Sequence, residues 1–185
     1  ARVARPSPRR AWLPWMIAAA SVLLAVIALT RHRAPALAQR MELSIVPHER
    51  TVLTDFFALS PDGSRLAYSA IAGGKALVRV RDLASGEVRA LSGTDSSETV
   101  FWSPDGRSLA FVSRGKLRRM DVATGSIEIV ADAESGRGGT WGPRGEILFA
   151  QKPAGAIYRV AASGGAVTTV TTLEKGDLMH RWPQF

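Results

Sequence analysis

The 185-residue chain contains no cysteine. That excludes disulfides, thiolate metal sites and cysteine nucleophiles, and it leaves the compartment open, because an oxidising environment permits disulfides without requiring them. Residues 1–40 contain no acidic side chain, against seven arginines. Residues 41–185 hold 17 basic and 16 acidic residues, so the formal net charge of +8 sits almost wholly in the first 40. A nucleic-acid-binding domain carries its basic excess on the folded part, as a patch or stripe. Here the excess flanks an apolar run, where it reads as a membrane-orientation signal, and no nucleic-acid partner is expected. The three histidines, His32, His48 and His180, are far apart and none has metal-ligand spacing, so no metal site is expected. There is no Gly-x-Ser-x-Gly elbow for serine catalysis. After residue 40 no stretch shows helical periodicity.

What is present begins with 20 uncharged residues, 11–30. At about 1.5 Å per residue such a helix spans roughly 30 Å, the thickness of a bilayer's hydrocarbon core. Trp12 and Trp15 lie near one end, where indoles favour the interface, and Pro14 falls in the first turn, where a missing N–H is harmless. Arg9 and Arg10 close the run on one side, Arg31 and Arg33 on the other. The competing reading is a cleaved signal peptide, for which Ala36-Leu37-Ala38 resembles a cleavage site. The run exceeds the usual signal core and two arginines intervene, which favours a single-pass transmembrane anchor. Four flanking arginines before the run (Arg2, Arg5, Arg9, Arg10) against three after it (Arg31, Arg33, Arg40) lean toward a cytoplasmic N-terminus. The region after the anchor is thus expected on the extracytoplasmic, periplasmic side of the inner membrane. Residues 1–10 read as a basic, proline-bearing juxtamembrane linker and 31–40 as a second linker.

The rest is repetitive. Ala58-Leu59-Ser60-Pro61-Asp62-Gly63-Ser64-Arg65-Leu66-Ala67-Tyr68-Ser69 recurs as Phe101-Trp102-Ser103-Pro104-Asp105-Gly106-Arg107-Ser108-Leu109-Ala110-Phe111-Val112. A third copy runs from Thr140-Trp141-Gly142-Pro143-Arg144-Gly145 to Phe149, and Arg181-Trp182-Pro183 begins a fourth. Leu59, Trp102, Trp141 and Trp182 are spaced 43, 39 and 41 apart, and Gly86, Gly125 and Gly165 in a second turn are spaced 39 and 40. Two independent markers keep one period. In the first turn proline presets φ, aspartate bonds the local backbone and glycine accepts φ > 0. Asp62, Gly63, Asp105, Gly106 and Gly145 are therefore structural turn residues. Strands are expected at 100–102, 108–112, 116–122 and 127–130, four per copy. A period near 40 with four short strands is the signature of propeller blades. The expected fold is all-β: a partial β-propeller over 41–185, about three four-stranded blades plus the start of a fourth, preceded by the transmembrane helix. Residues 41–46 read as an extra strand. Three blades do not close a ring, so the chain reads as part of a longer one.

The Trp-Ser-Pro-Asp-Gly repeat, followed by Leu-Ala-Phe and a strand ending in Asp-Leu or Asp-Val, resembles the WD-like repeats of the periplasmic Tol-system propeller over roughly 50–185. The third copy departs from it at Gly142 and Arg144. The order of Arg/Pro linker, apolar run, short strand and blades resembles the C-terminal half of bacterial transmembrane serine/threonine protein kinases, as do Ser135-Gly136-Arg137-Gly138-Gly139-Thr140-Trp141 and His180-Arg181-Trp182-Pro183-Gln184-Phe185. The resemblance implies an upstream kinase domain. The phosphate-covering glycine loop, the His-Arg-Asp catalytic loop and the Asp-Phe-Gly motif are all missing here. This chain carries no catalytic motif, and by itself it is expected to phosphorylate nothing and to hold no cofactor; ATP and Mg would enter only with a kinase domain, and whether the chain is an enzyme stays open.

Each chemical reading has a plainer rival. Asp62 and Asp105 fit turns better than catalysis or metal binding, since the third copy lacks the aspartate. Trp102, Trp141 and Trp182 fit a core better than a ligand-stacking ring. Gly136-Arg137-Gly138-Gly139 lacks a dinucleotide fingerprint and a following helix, and fits an inter-blade loop. If a site exists, it belongs on the loops that enter each next blade, at 92–99, 132–139 and 173–181. Their charged residues, Asp95, Glu98, Glu134, Arg137, Glu174, Asp177 and His180, make a mixed-sign rim suited to a protein or small polar ligand. The functional expectation is a membrane-anchored sensor or interaction module, with a homodimer through the anchor as one state it could adopt. The rivals are the propeller of a membrane-bound transcriptional regulator and the propeller of a serine hydrolase or peptidase.

Overall fold

The computed structural model describes Met16, residues 18–21 and residues 51–185, without the Asp55 side chain. The chain divides into two units, Ala1–Ile45 and Val46–Phe185. In the first, Met16 and residues 18–21 are helical and exposed. No helix among the described residues is long and apolar enough to cross a membrane. Most of the expected transmembrane run, both linkers and the expected strand at 41–46 lie outside the described residues.

The second unit is three antiparallel sheets of four strands each, every sheet in simple meander order. Sheet one contains β1 (Thr51–Leu59), β2 (Arg65–Ala72), β3 (Lys75–Asp82) and β4 (Val88–Ala90). Sheet two contains β5 (Ser97–Trp102), β6 (Ser108–Ser113), β7 (Lys116–Asp121) and β8 (Ile127–Asp132). Sheet three contains β9 (Gly139–Trp141), β10 (Glu146–Ala150), β11 (Ile157–Ala161) and β12 (Thr168–Thr169). The strands expected from the repeats are all present. The expected start of a fourth blade at 181–185 forms no strand.

Side chains alternate between the two faces of a strand, and the sequence uses that alternation to stack the sheets with a direction. Sheet one offers Ala58, Ala67, Val78 and Val80, and sheet two meets them with Trp102, Leu109, Phe111 and Met120. Sheet two then offers Phe101, Ala110, Val112 and Leu117 from its other face, and sheet three meets them with Trp141, Ile147, Phe149 and Val160. Sheet two is therefore buried on both faces, and the whole of β6 after its first residue is buried.

A lateral lock reinforces the first interface. The Trp102 indole N–H donates to the Ala58 carbonyl at 3.0 Å. The Arg65 guanidinium lies 4.8 Å above the Trp102 ring and donates to the Gly106 carbonyl at 2.7 Å. The four repeat-equivalent positions differ by place in the stack. Trp102 is buried and Trp141 half-buried, but Leu59 and Trp182 are 56% and 55% exposed. The expectation that Trp182 is core is thus corrected. Trp102 and Trp141 sit on strands packed against the preceding sheet, whereas Leu59 has no preceding sheet among the described residues and Trp182 lies on no strand, at φ +57°, against the Gly138 loop.

The third copy is also shorter. Trp102 pairs with Leu109, seven residues on, whereas Trp141 pairs with Ile147, six residues on. The turn has lost one residue along with its serine and aspartate.

Candidate functional site

Meander topology sends the connections to two opposite ends of each sheet. One end carries the Ser-Pro-Asp-Gly turns and the second-half turns, and there the turn aspartates are used locally. The Ser60 hydroxyl donates to Asp62 Oδ1 at 2.6 Å and accepts the Arg65 N–H at 2.9 Å. Ser103 and Asp105 repeat this at 2.6 Å, with the Ser108 N–H at 2.9 Å. Asp82 Oδ1 accepts the N–H groups of Ala84 and Ser85, and Asp121 Oδ1 accepts that of Thr124. These donors favour the ionised carboxylates. The hydroxyl of Ser60, then the N–H and hydroxyl of Ser64, hold Asp62 down to about 2. Asp105 is lowered first by Ser103, Asp82 by Ser85 and Asp121 by Thr124. In the third copy Gly145 N–H reaches the Gly142 carbonyl at 3.1 Å without side-chain help, and Arg144 pairs with Glu146 at 3.1 Å instead. Asp62, Gly63, Asp105, Gly106 and Gly145 all lie in these turns. One backbone bond ties the two turns of each sheet together: Leu83 to Ser64, Val122 to Arg107 and Ala162 to Gly145, at 2.8–3.0 Å.

The opposite end carries the short hairpins and the connections between sheets, and here the seven rim residues separate into different situations. Glu98 accepts the Gly136 N–H at 2.8 Å, joining the entry strand of sheet two to the loop that enters sheet three. The close approach explains the glycines. A Cβ at Gly136 would lie 2.6 Å from Glu98 Cβ, one at Gly138 would meet Trp182, and one at Gly139 would enter the Phe101 ring. Asp95 is half-buried, and its carbonyl accepts the Ser113 hydroxyl. Glu134 and Arg137 are exposed; their backbones bond Gln151 and Trp182, at 2.7 and 3.2 Å. Asp177 and His180 come together: His180 Nε2 lies 3.4 Å from Asp177 Oδ2, and Nδ1 lies 2.7 Å from Thr171 Oγ1. The His180 N–H donates to the Gly155 carbonyl at 2.8 Å, and the Asp177 carboxylate caps the Glu174 N–H at 3.1 Å.

The sequence reading missed Thr171 and its counterpart Thr94. Their hydroxyls accept the N–H groups of Ile157 and Val78, both at 2.9 Å, where a connection passes the third strand of a sheet. It also missed Arg114 and Arg118. The signal for Arg114 was its place in a hairpin that sheet one turns with Gly73 and Gly74. Among the described residues no group of three or more His, Asp or Glu is arranged to hold a metal ion. The Asp177–His180–Thr171 array has no second carboxylate, and Thr171 already serves the backbone, so its geometry is that of a loop brace.

No family model matches the chain, and no curated protein matches it by sequence. Solved structures do. A TolB protein from Agrobacterium tumefaciens superposes with a TM-score of 0.57 at 24% identity, over 65% of this chain and 47% of that one. TolB from Acinetobacter baumannii gives 0.53 at 22%, over 69% and 33%. The Cps50 (Swd1) β-propeller domain of Myceliophteria thermophila gives 0.51 at 19%, over 70% and 41%. The chain spans between a third and a half of the length of these proteins. At such identities the likeness fixes the fold, and the three stacked meanders are consecutive sheets of a β-propeller.

Proposed function

We propose that the chain is an interaction module: a propeller segment that presents the inter-sheet loop end to a protein or small polar ligand. The reading is supported by one contrast between the two ends. At the turn end each aspartate is consumed by its own loop, whereas at the other end Asp95, Glu134 and Arg137 hold charge on connections braced by the sheets. Rigid scaffolds with charged, outward loops are where binding functions concentrate. In the finer form of this reading, residues 11–30 anchor the module in the inner membrane with the propeller outside, and a serine/threonine kinase domain lies upstream. The uncharged run and its flanking arginines support the anchor.

Two experiments test it. Alkaline phosphatase fused after Gly165 should be active, and a cytoplasm-dependent reporter at the same site silent; the reverse pattern would invert the orientation. In a parent kinase, Glu134→Gln with Arg137→Gln should alter autophosphorylation without lowering the propeller's melting temperature. Unchanged phosphorylation would remove the loop end as a sensing surface.

A further inference from the structure

At the loop end, a cleft of about 370 Å³ lies between sheet two and the connection that enters it, lined by Gly93 and Asp95 of the connection and by Ser113, Arg114, Arg118, Ile127 and Ile129. Three features of its lining bear on what it binds. First, the Arg118 Nε is buried and has no hydrogen-bond partner; Arg79 Nε and Arg81 Nε of sheet one share that condition, but of the three only Arg118 lines the cleft. A guanidinium donor left unmatched away from water is costly, and native structures keep few of them. Second, Arg114 adopts φ +51° in the two-residue Arg114-Gly115 hairpin. The equivalent hairpin of sheet one uses Gly73 there, at φ +58°, so a cationic side chain is held at the cleft mouth in a conformation that favours glycine. Third, Ile129 is 59% exposed beside them, an apolar wall open to solvent. No ion pair among the described residues joins Asp95 to either arginine.

We infer that this cleft binds a monocarboxylate carrying a branched aliphatic group, either a free acid or the C-terminal residue of a peptide. The two guanidiniums offer the planar forked donors that carboxylates accept. Asp95 reduces the charge of the lining to a single net positive, which matches one carboxylate and disfavours a phosphate dianion. Ile127 and Ile129 supply apolar contact for the aliphatic group. The inference rests on the loop end being a binding surface and names a ligand class for one part of it.

The test uses the full chain in nanodiscs with N-acetyl-L-leucine as probe, titrated by saturation-transfer NMR, beside N-acetyl-L-leucinamide and a short peptide ending in leucine. The carboxylate should bind and the amide should not. The peptide arm decides the source, since binding of the peptide at least as tight as that of N-acetyl-L-leucine assigns the site to chain ends. Arg118→Gln should weaken carboxylate binding at least about tenfold. Arg114→Gly should weaken it too while raising the melting temperature, because it removes both the cation and the unfavourable φ. Equal binding of acid and amide, no binding of either, or full affinity in Arg118→Gln would overturn the inference. Such a failure leaves the Glu134/Arg137 phosphorylation experiment untouched, so the two readings fail separately.

Discussion

Asp62 and Asp105 show how much a turn residue can bias the folded state without touching a core. Asp62 is held at about 2 against an ordinary 3.8, so its proton affinity is lower in the folded chain than in the unfolded one. Its stabilising contribution is complete above about pH 4 and disappears as the pH falls through about 2. Asp82, Asp105 and Asp121 are shifted the same way. The urea midpoint should therefore fall as the pH drops across that window, and Asp62→Asn should make the fall shallower. A variant as acid-sensitive as the parent would assign the effect elsewhere. Trp102 is the residue-scale counterpart in the core. Trp102→Phe keeps the ring but strands the Ala58 carbonyl and weakens the Arg65 contact. A loss of about 1–2 kcal/mol is expected by denaturant titration.

Individual strands and turns were the most legible level in the sequence. The alternation around Trp102 and Phe111, and the Pro-Asp-Gly chemistry of the turns, specify local conformation directly, and the observed strands follow them. The single-residue deletion in the third turn was subtler. The step from Gly145 to Phe149 is four residues where Gly63 to Tyr68 and Gly106 to Phe111 are five, and pairing places the loss by setting Ile147, not Leu148, opposite Trp141. The candidate site was less legible still, because its contacts cross between copies. Glu98 meets Gly136 across 38 residues, and nothing local announces it. The glycine-rich segment 136–139 reads as a plain inter-blade loop in sequence but is a site of steric necessity in the fold. Gly136→Ala should destabilise by about 1–3 kcal/mol, since the new methyl faces the Glu98 backbone as well as its Cβ. A neutral outcome in thermal melts would mean the loop can retreat from β5.

Across the whole molecule, stability should be graded from the middle sheet outward. Phe111 is 1% exposed between sheets one and two, whereas Phe57 is 71% exposed on sheet one. Phe111→Ala should lose about 3–5 kcal/mol, and Phe57→Ala should stay within about 0.5 kcal/mol of the parent. Amide exchange should be slowest in β6, which is buried on both sides, and fastest in β4 and β12, whose residues are exposed. Uniform exchange across the three sheets would contradict the layered packing.

The directional stacking has a final consequence. Each sheet meets its predecessor with bulky side chains and its successor with another set, so every interface is a repeat of the one before it. Interactions in such arrays act between nearest neighbours. A gene encoding them can therefore duplicate or drop one forty-residue unit at a time, and the surviving junctions still fit. Lineages could change circumference by recombination while inheriting the joinery intact.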